Sequence, residues 1–179
     1  MPTAGDVVDL QISAEDHQFG PADAPITLVE YGDYECPDCL STFPLIEQLA
    51  EDLGEDLRFV FRHFPLISIH PRASFAAQAA EAAGAQHKFW EMHRLLYQRP
   101  GGLDDDELAR LGLRLELELY RYENDLSTQR FANRVQRQAD FGREIGVSAT
   151  PTLFVNGRRI GLTKPATYEQ LRAQVDALR

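Results

Sequence analysis

A chain of 179 residues with 44% hydrophobic residues fits one domain, or one domain carrying a large insertion, and can bury a core without staples. Its 18 basic and 28 acidic residues give a formal net charge of −10, which argues against nucleic acid, whose phosphates reward Lys and Arg. No segment approaches the roughly 18 continuous apolar residues of a membrane helix, so the protein is expected not to be membrane-embedded.

Residues 1–16 are polar and aperiodic and read as a loose lead-in. Met1 to Leu10 has neither the basic start nor the apolar run of a signal peptide, so the expected address is cytoplasmic. An exported protein whose leader had been removed would read the same way. In a reducing cytosol two cysteines spaced Cys-x-x-Cys are more often catalytic or metal-binding than a permanent bridge.

His17 to Pro25 is rich in turn residues and feeds a confident strand, Ile26 to Tyr31. Such a near-continuous β-favouring run suits a central strand covered on both faces, with the acid Glu30 as its anomaly. The Cys36-Pro37-Asp38-Cys39 segment follows, and Pro37 suits a first helical turn, where a missing N–H costs nothing. Leu40, Phe43, Ile46, Leu49, Ala50 and Leu53 then repeat at helical spacing up to Gly54, with Pro44 predicted to kink the helix. Leu57 to Phe64 reads as a second strand, which completes a parallel, right-handed βαβ unit.

From Pro71 the pattern turns helical. Ala73 to Ala85 is alanine-rich, and an apolar stripe runs from Phe89 through Trp90, Met92, His93 and Leu96 to Tyr97. Pro100-Gly101-Gly102 breaks it, Asp104 to Asp106 favour a new helix start, and Gly112 marks a stop or turn. A further helix is predicted from about Ser127 to Ile145, ending at Gly146. About four helices with no strand between them amount to an inserted helical subdomain. Strand character returns at Thr152 to Val155, and Asn156-Gly157 is a strong hairpin signal that brings Arg158 to Ile160 back across it. A helix from Tyr168 to Leu178 closes the chain, with Thr167 and Gln170 as a capping box. The expected organisation is the lead-in 1–16, an α/β domain split between 17–70 and 141–179, and an all-helical insertion over 71–140.

The chemistry centres on the cysteine pair. A bridge over so short a loop removes little chain entropy, so a stabilising role explains it poorly. The thiolate is the reactive species, and a helix N-terminus lowers such thiols to somewhere between ~3.5 and ~7.5. Cys36 stands at the helix start and is the candidate nucleophile; Cys39, one turn further in, suits the resolving role. A zinc site would need two more close ligands, and the histidines at 17, 63, 70, 87 and 93 form no short-spaced pair, so no metal and no cofactor are expected.

Val29 to Cys39 resembles the active-site strand and helix of the DsbA-like branch of the thioredoxin fold. Gly146 to Gly157, with Thr150-Pro151-Thr152, is similar to that family's cis-proline loop and hairpin, and Phe61 to Leu66 and the helical insertion also match. The resemblance implies a thioredoxin fold with an inserted all-helical subdomain. It implies that Pro151 is a cis-proline facing the cysteines and that the backbone of Thr150 pairs with an extended substrate segment. It also implies that Glu30, six residues before Cys36, is a buried acid able to take the proton of Cys39. The alternative for Glu30 is a carboxylate reaching solvent, or paired with Arg58 or Arg62. His63 is expected to be a strand-end residue outside the chemistry, and Trp90 and Met92 to be insertion core. Asp38 departs from the His that oxidising relatives tend to carry there. Its charge predicts a Cys36 less acidic, and a disulfide less oxidising, than in strong oxidants.

The leading function is thiol–disulfide exchange with thiol- or disulfide-containing proteins or peptides, renewed by a separate redox partner. A polypeptide-binding or chaperone module, and a glutathione-using transferase or isomerase of the same fold, are the competing classes.

Overall fold

The computed structural model describes residues 7–99 and 101–178. Residues 1–6 of the expected lead-in and Pro100 of the expected helix break lie outside them. Strands β1 (His17–Phe19), β2 (Ile26–Gly32), β3 (Leu57–His63), β4 (Thr152–Val155) and β5 (Arg158–Ile160) form one mixed sheet in the order β1-β3-β2-β4-β5. Helix α1 (Pro37–Leu53) joins β2 to the parallel β3, and the insertion carries α2 (Ala73–Gly84), α3 (Phe89–Gln98), α4 (Asp105–Arg114) and α5 (Leu119–Ser127). Then come α6 (Ala132–Glu144) and, after the β4–β5 hairpin, α7 (Tyr168–Asp176). This is a thioredoxin fold with a helical insertion. No helix among the described residues is long and apolar enough to cross a membrane.

Alternation along β2 divides the core between the two sheet faces. Ile26 and Leu28 pack with α1, the insertion and α7, whereas Val29 and Tyr31 pack with Ala139 of α6, Phe64, Val147 and Phe154. Glu30 shares the face of Ile26 and Leu28, so its carboxyl points into the larger apolar cluster. Hairpin and capping chemistry appear where the sequence places them. Asn156 and Gly157 have φ of 48° and 78°, and Thr167 and Gln170 form the reciprocal capping box.

Several expectations are corrected. The described part of the lead-in is pinned: Leu10 is buried, Val8 N–H donates to Gly157 O at 2.8 Å, and Asp16 holds Arg62 at 2.8 Å. The turn-rich stretch contains β1, an edge strand antiparallel to β3. Pro44 lies inside α1, as expected, on its exposed side, where water can take the freed carbonyl. The helix expected from about Ser127 begins later, as α6 at Ala132, and α5 precedes it as a separate helix. The boundary expected at 140 cuts α6, which belongs to the sheet through Ala139. Gly112 is no stop. It lies within α4, where an added Cβ would stand 2.7 Å from the Tyr122 ring. Gly112→Ala should therefore cost about 1–3 kcal/mol through overpacking, read as a lower urea midpoint.

The insertion is tied to the sheet by a buried ionic cluster. Glu81 of α2 receives His17 at 3.0 Å, His63 at 3.2 Å and Arg134 at 2.8 Å. Burial opposes its charge, but the bonds from both histidines prevail and hold its carboxyl far below the usual range. His63 is thus a buried anchor at the end of β3, and Met92 and partly buried Trp90 lie in the insertion core.

Candidate active site

Strand β2 ends at Gly32 and Asp33 begins the turn into α1. Its buried carboxylate accepts Glu35 N–H at 2.8 Å, Leu66 N–H at 2.9 Å and His70 Nδ1 at 2.8 Å. Its carbonyl accepts Cys36 N–H at 3.1 Å. One acid therefore joins the turn before Cys36 to the loop after β3, and leaves Cys36 as the N-cap residue with Pro37 at the first helical position.

Both cysteines are free thiols and buried, Cys36 at 5% exposure and Cys39 at 0%. The Cys36 thiol donates to Thr150 O at 3.4 Å, and the Thr150–Pro151 peptide is cis. The structure thus brings Cys36, Cys39, Thr150 and Pro151 together across 114 residues of sequence. The Cys36 pKa falls to about 5. The hydrogen bond from Cys39 is the largest cause; burial opposes it, and the Thr150 side chain and the N–H groups of Cys39 and Asp38 add to it. Cys39 moves the opposite way, well above the usual thiol value, because it is buried and because it donates to Cys36. The pair is asymmetric in the sense exchange requires: one sulfur anionic, its neighbour protonated.

Glu30 is 1% exposed, pairs with neither Arg58 nor Arg62, and its Oε1 makes no hydrogen bond among the described residues. Burial first, and the charge of Cys36 second, push its pKa up to about 8. Arg62 is engaged instead by Asp16 and the Tyr31 hydroxyl.

Asp38 is tied to Lys164, in the loop before α7, by a short ion pair. The cation offsets the negative charge that the sequence places beside Cys36, while the Asp38 N–H lowers the Cys36 pKa. Asp38→His should raise the reduction potential, and Lys164→Ala should lower it by less. One unit of thiolate pKa corresponds to about 30 mV, and both exposed groups are expected to act within that bound in a glutathione titration. Equal potentials in all three proteins would refute this electrostatic account.

Sequence reasoning did not find Lys164, Asp33 or His70. Nothing in their spacing from Cys36 announces them, because each acts across a turn or from a distant loop. Among the described residues no three His, Cys, Asp or Glu side chains are placed to hold a metal.

Residues 13–177 match the model of the family described as Thioredoxin. The fold is similar to BdbD from Bacillus subtilis (TM-score 0.80, 25% identity), covering 96% of this chain and 97% of that one. It is also similar to the thiol-disulfide exchange protein alpha-DsbA2 from Wolbachia pipientis (TM-score 0.75, 20% identity), covering 93% and 88%. In sequence, 156 residues are 45% identical to the Na(+)/H(+) antiporter NhaA 1 of Salinispora arenicola (strain CNS-205), covering 86% of this chain but 24% of that protein. The chain spans about a quarter of the length of the curated relatives it matches.

Proposed function

The chain belongs to the thioredoxin family, and from that premise we propose that it is a DsbA-like thiol–disulfide oxidoreductase acting on protein or small-thiol substrates through Cys36 and Cys39. The observation that carries this is the Cys36 sulfur at the start of α1, held between the Cys39 thiol and the carbonyl before cis Pro151, with a pKa of about 5. The antiporter name is not carried over, because the matched stretch is 24% of that protein.

In the reducing direction the Cys36 thiolate attacks a substrate disulfide. A Cys36–substrate bond forms, and the other substrate sulfur leaves with the electron pair. Cys39 then loses its proton to Glu30 and attacks Cys36, the Cys36–Cys39 bond forms, and the second substrate sulfur departs as thiolate. In the oxidising direction the steps reverse, and a substrate thiolate attacks the Cys36 sulfur of the disulfide. Thr150 offers its backbone to an extended substrate strand beside the sulfur. The physiological direction follows from the recycling partner's potential.

An equilibrium titration against glutathione, read by mass, tests this. The wild type should convert in one transition between dithiol and disulfide, and Cys36→Ala should show none. A Cys36→Ala protein that still held clients and suppressed their aggregation would move the assignment to polypeptide binding.

A further inference from the structure

Glu30 is not the one polar group left without a partner on its face of the sheet. The Tyr97 hydroxyl, carried in by α3 of the insertion, is buried and likewise makes no hydrogen bond among the described residues. Its ring is fixed against Phe43 and Tyr34, with centroids 5.0 and 4.8 Å away. The hydroxyl end rests over Gly32: a Cβ there would stand 2.8 Å from the Tyr97 oxygen and 2.4 Å from Phe61 Cε2. Any side chain at 32 would displace the hydroxyl, so the glycine makes the approach possible.

Gly32 and Glu30 are two apart in one strand and face the same way, so their β-positions lie about 6.6 Å apart. Burial pushes the Tyr97 pKa well above the usual tyrosine value, and the nearby charges of Glu30 and Cys39 add to it. Cys39 enters the same apolar cluster from α1. A hydroxyl with no partner in the resting dithiol therefore lies beside the acid and the thiol between which a proton must pass. Left idle, a buried hydroxyl costs stability.

We propose that Tyr97 is a positioning residue of the resolving step, its hydroxyl donating a hydrogen bond to the negative charge that Glu30 carries and passes to Cys39 while the mixed disulfide is resolved. The inference rests on the oxidoreductase reading. In that step the Cys39 proton passes to the Glu30 carboxylate, the Cys39 sulfur forms its bond to Cys36, and the substrate sulfur leaves with the electron pair. Tyr97 keeps its own proton throughout. The insertion thereby contributes to the chemistry as well as to covering the sheet.

The titratable groups facing Glu30 are Cys36 and Cys39 of α1, Tyr34 of the preceding turn and Tyr97 of α3, with His93 bonded to the Tyr34 hydroxyl. The neighbouring strands present Phe61 and Leu153 beside it, with the His63–Glu81 pair beyond Phe61. Burial holds His93 well below the usual imidazole value and also lowers His63, so between pH 6 and 9 Glu30 is the neighbour whose charge changes.

The test is Tyr97→Phe, which keeps the ring. Decay of a preformed Cys36 mixed disulfide with a small thiol is followed against pH. A donor to the charged carboxylate favours ionisation, so its loss should shift the half-maximal rate about one pH unit higher and slow the step about tenfold at pH 7. In a Glu30→Gln background the same substitution should add much less than tenfold. Thermal unfolding should be unchanged or improved, since the hydroxyl holds nothing in the resting state. A purely structural tyrosine predicts the reverse: lower stability with an unmoved pH profile, which would overturn the proposal. A cycling wild type whose profile Tyr97→Phe matches overturns this inference alone. A wild type that never cycles overturns the oxidoreductase reading and this inference with it.

Discussion

Cys39→Ala should do two things at once: arrest exchange at the mixed disulfide, and raise the Cys36 pKa from about 5 by one unit or more. The first follows because no second sulfur remains to displace the substrate, so the adduct accumulates and turnover falls by at least about 10³-fold. The second is less obvious. The largest influence holding Cys36 anionic is the hydrogen bond from Cys39, ahead of Thr150 and the helix-start amides. Replacing the donor with a methyl leaves burial less opposed, and the thiolate becomes more costly. Near pH 6 wild-type Cys36 is mostly thiolate, and a one-unit rise leaves the variant about half thiol, so the capture rate should fall at least about twofold there and recover at higher pH. Absorbance at 240 nm against pH reads the midpoint directly, and an unmoved midpoint would mean that the helix end alone acidifies Cys36. The same shift bears on stability. A folded pKa below the unfolded one stabilises the dithiol fully above the unfolded thiol value, and that contribution disappears as pH falls through about 5. The Cys36 contribution to the dithiol should therefore fall on acidification from pH 8 to 5, by about 1–3 kcal/mol after screening at the partly solvated sulfur. Glu30 titrates the opposite way in both proteins, so the effect is read as the difference between wild type and Cys39→Ala, which should narrow over that window.

What the sequence made legible was local. The strand at Ile26, the helix start at Pro37, the Asn156-Gly157 turn and the Thr167–Gln170 cap each follow from the conformational limits of a few adjacent residues, and each is where it was expected. The cysteines are legible for the same reason, because their chemistry depends on a spacing within one helical turn. What escaped depends on contacts between distant segments. Gly112 reads as a breaker, and only the Tyr122 ring beside it shows why a glycine is tolerated inside α4. Residues 7–16 read as loose because no period runs through them, yet Asp16 neutralises Arg62 and Leu10 closes the second core. Asp38 seemed to oppose the thiolate, and its partner Lys164 lies 126 residues away. Glu30 lies between these cases: its position relative to Cys36 suggested a buried acid, but only burial without a cationic partner distinguishes a proton acceptor from a surface carboxylate.

Glu30→Gln should therefore remove a pH dependence from stability and a base from catalysis. Below about pH 4.5 the carboxyl is protonated folded or unfolded and contributes nothing. Between 4.5 and about 8 the unfolded chain releases the proton while the folded protein retains it, which favours unfolding by about 1.4 kcal/mol per pH unit. The accumulated penalty by pH 8 is on the order of 4 kcal/mol at most, and the glutamine variant escapes it, less about 1–3 kcal/mol for a buried amide without partners. Urea unfolding of both proteins in the disulfide form, where no thiol titrates, should show the variant gaining on wild type as pH rises from 5 to 8. A constant difference would mean that Glu30 is ionised in the folded state. In catalysis, capture by Cys36 should be nearly unchanged, but resolution should slow about 10²-fold and lose its pH dependence, since proton transfer by a placed base is worth about that much. The geometry also times the event. The charge of Cys36 is one of the two causes that raise the Glu30 pKa, and forming the mixed disulfide removes that charge. Capture of substrate thus lowers the cost of ionising Glu30 at the moment Cys39 must give up its proton. Resolution in the wild type should accordingly reach half its maximal rate below pH 8, the value that Glu30 holds in the resting dithiol.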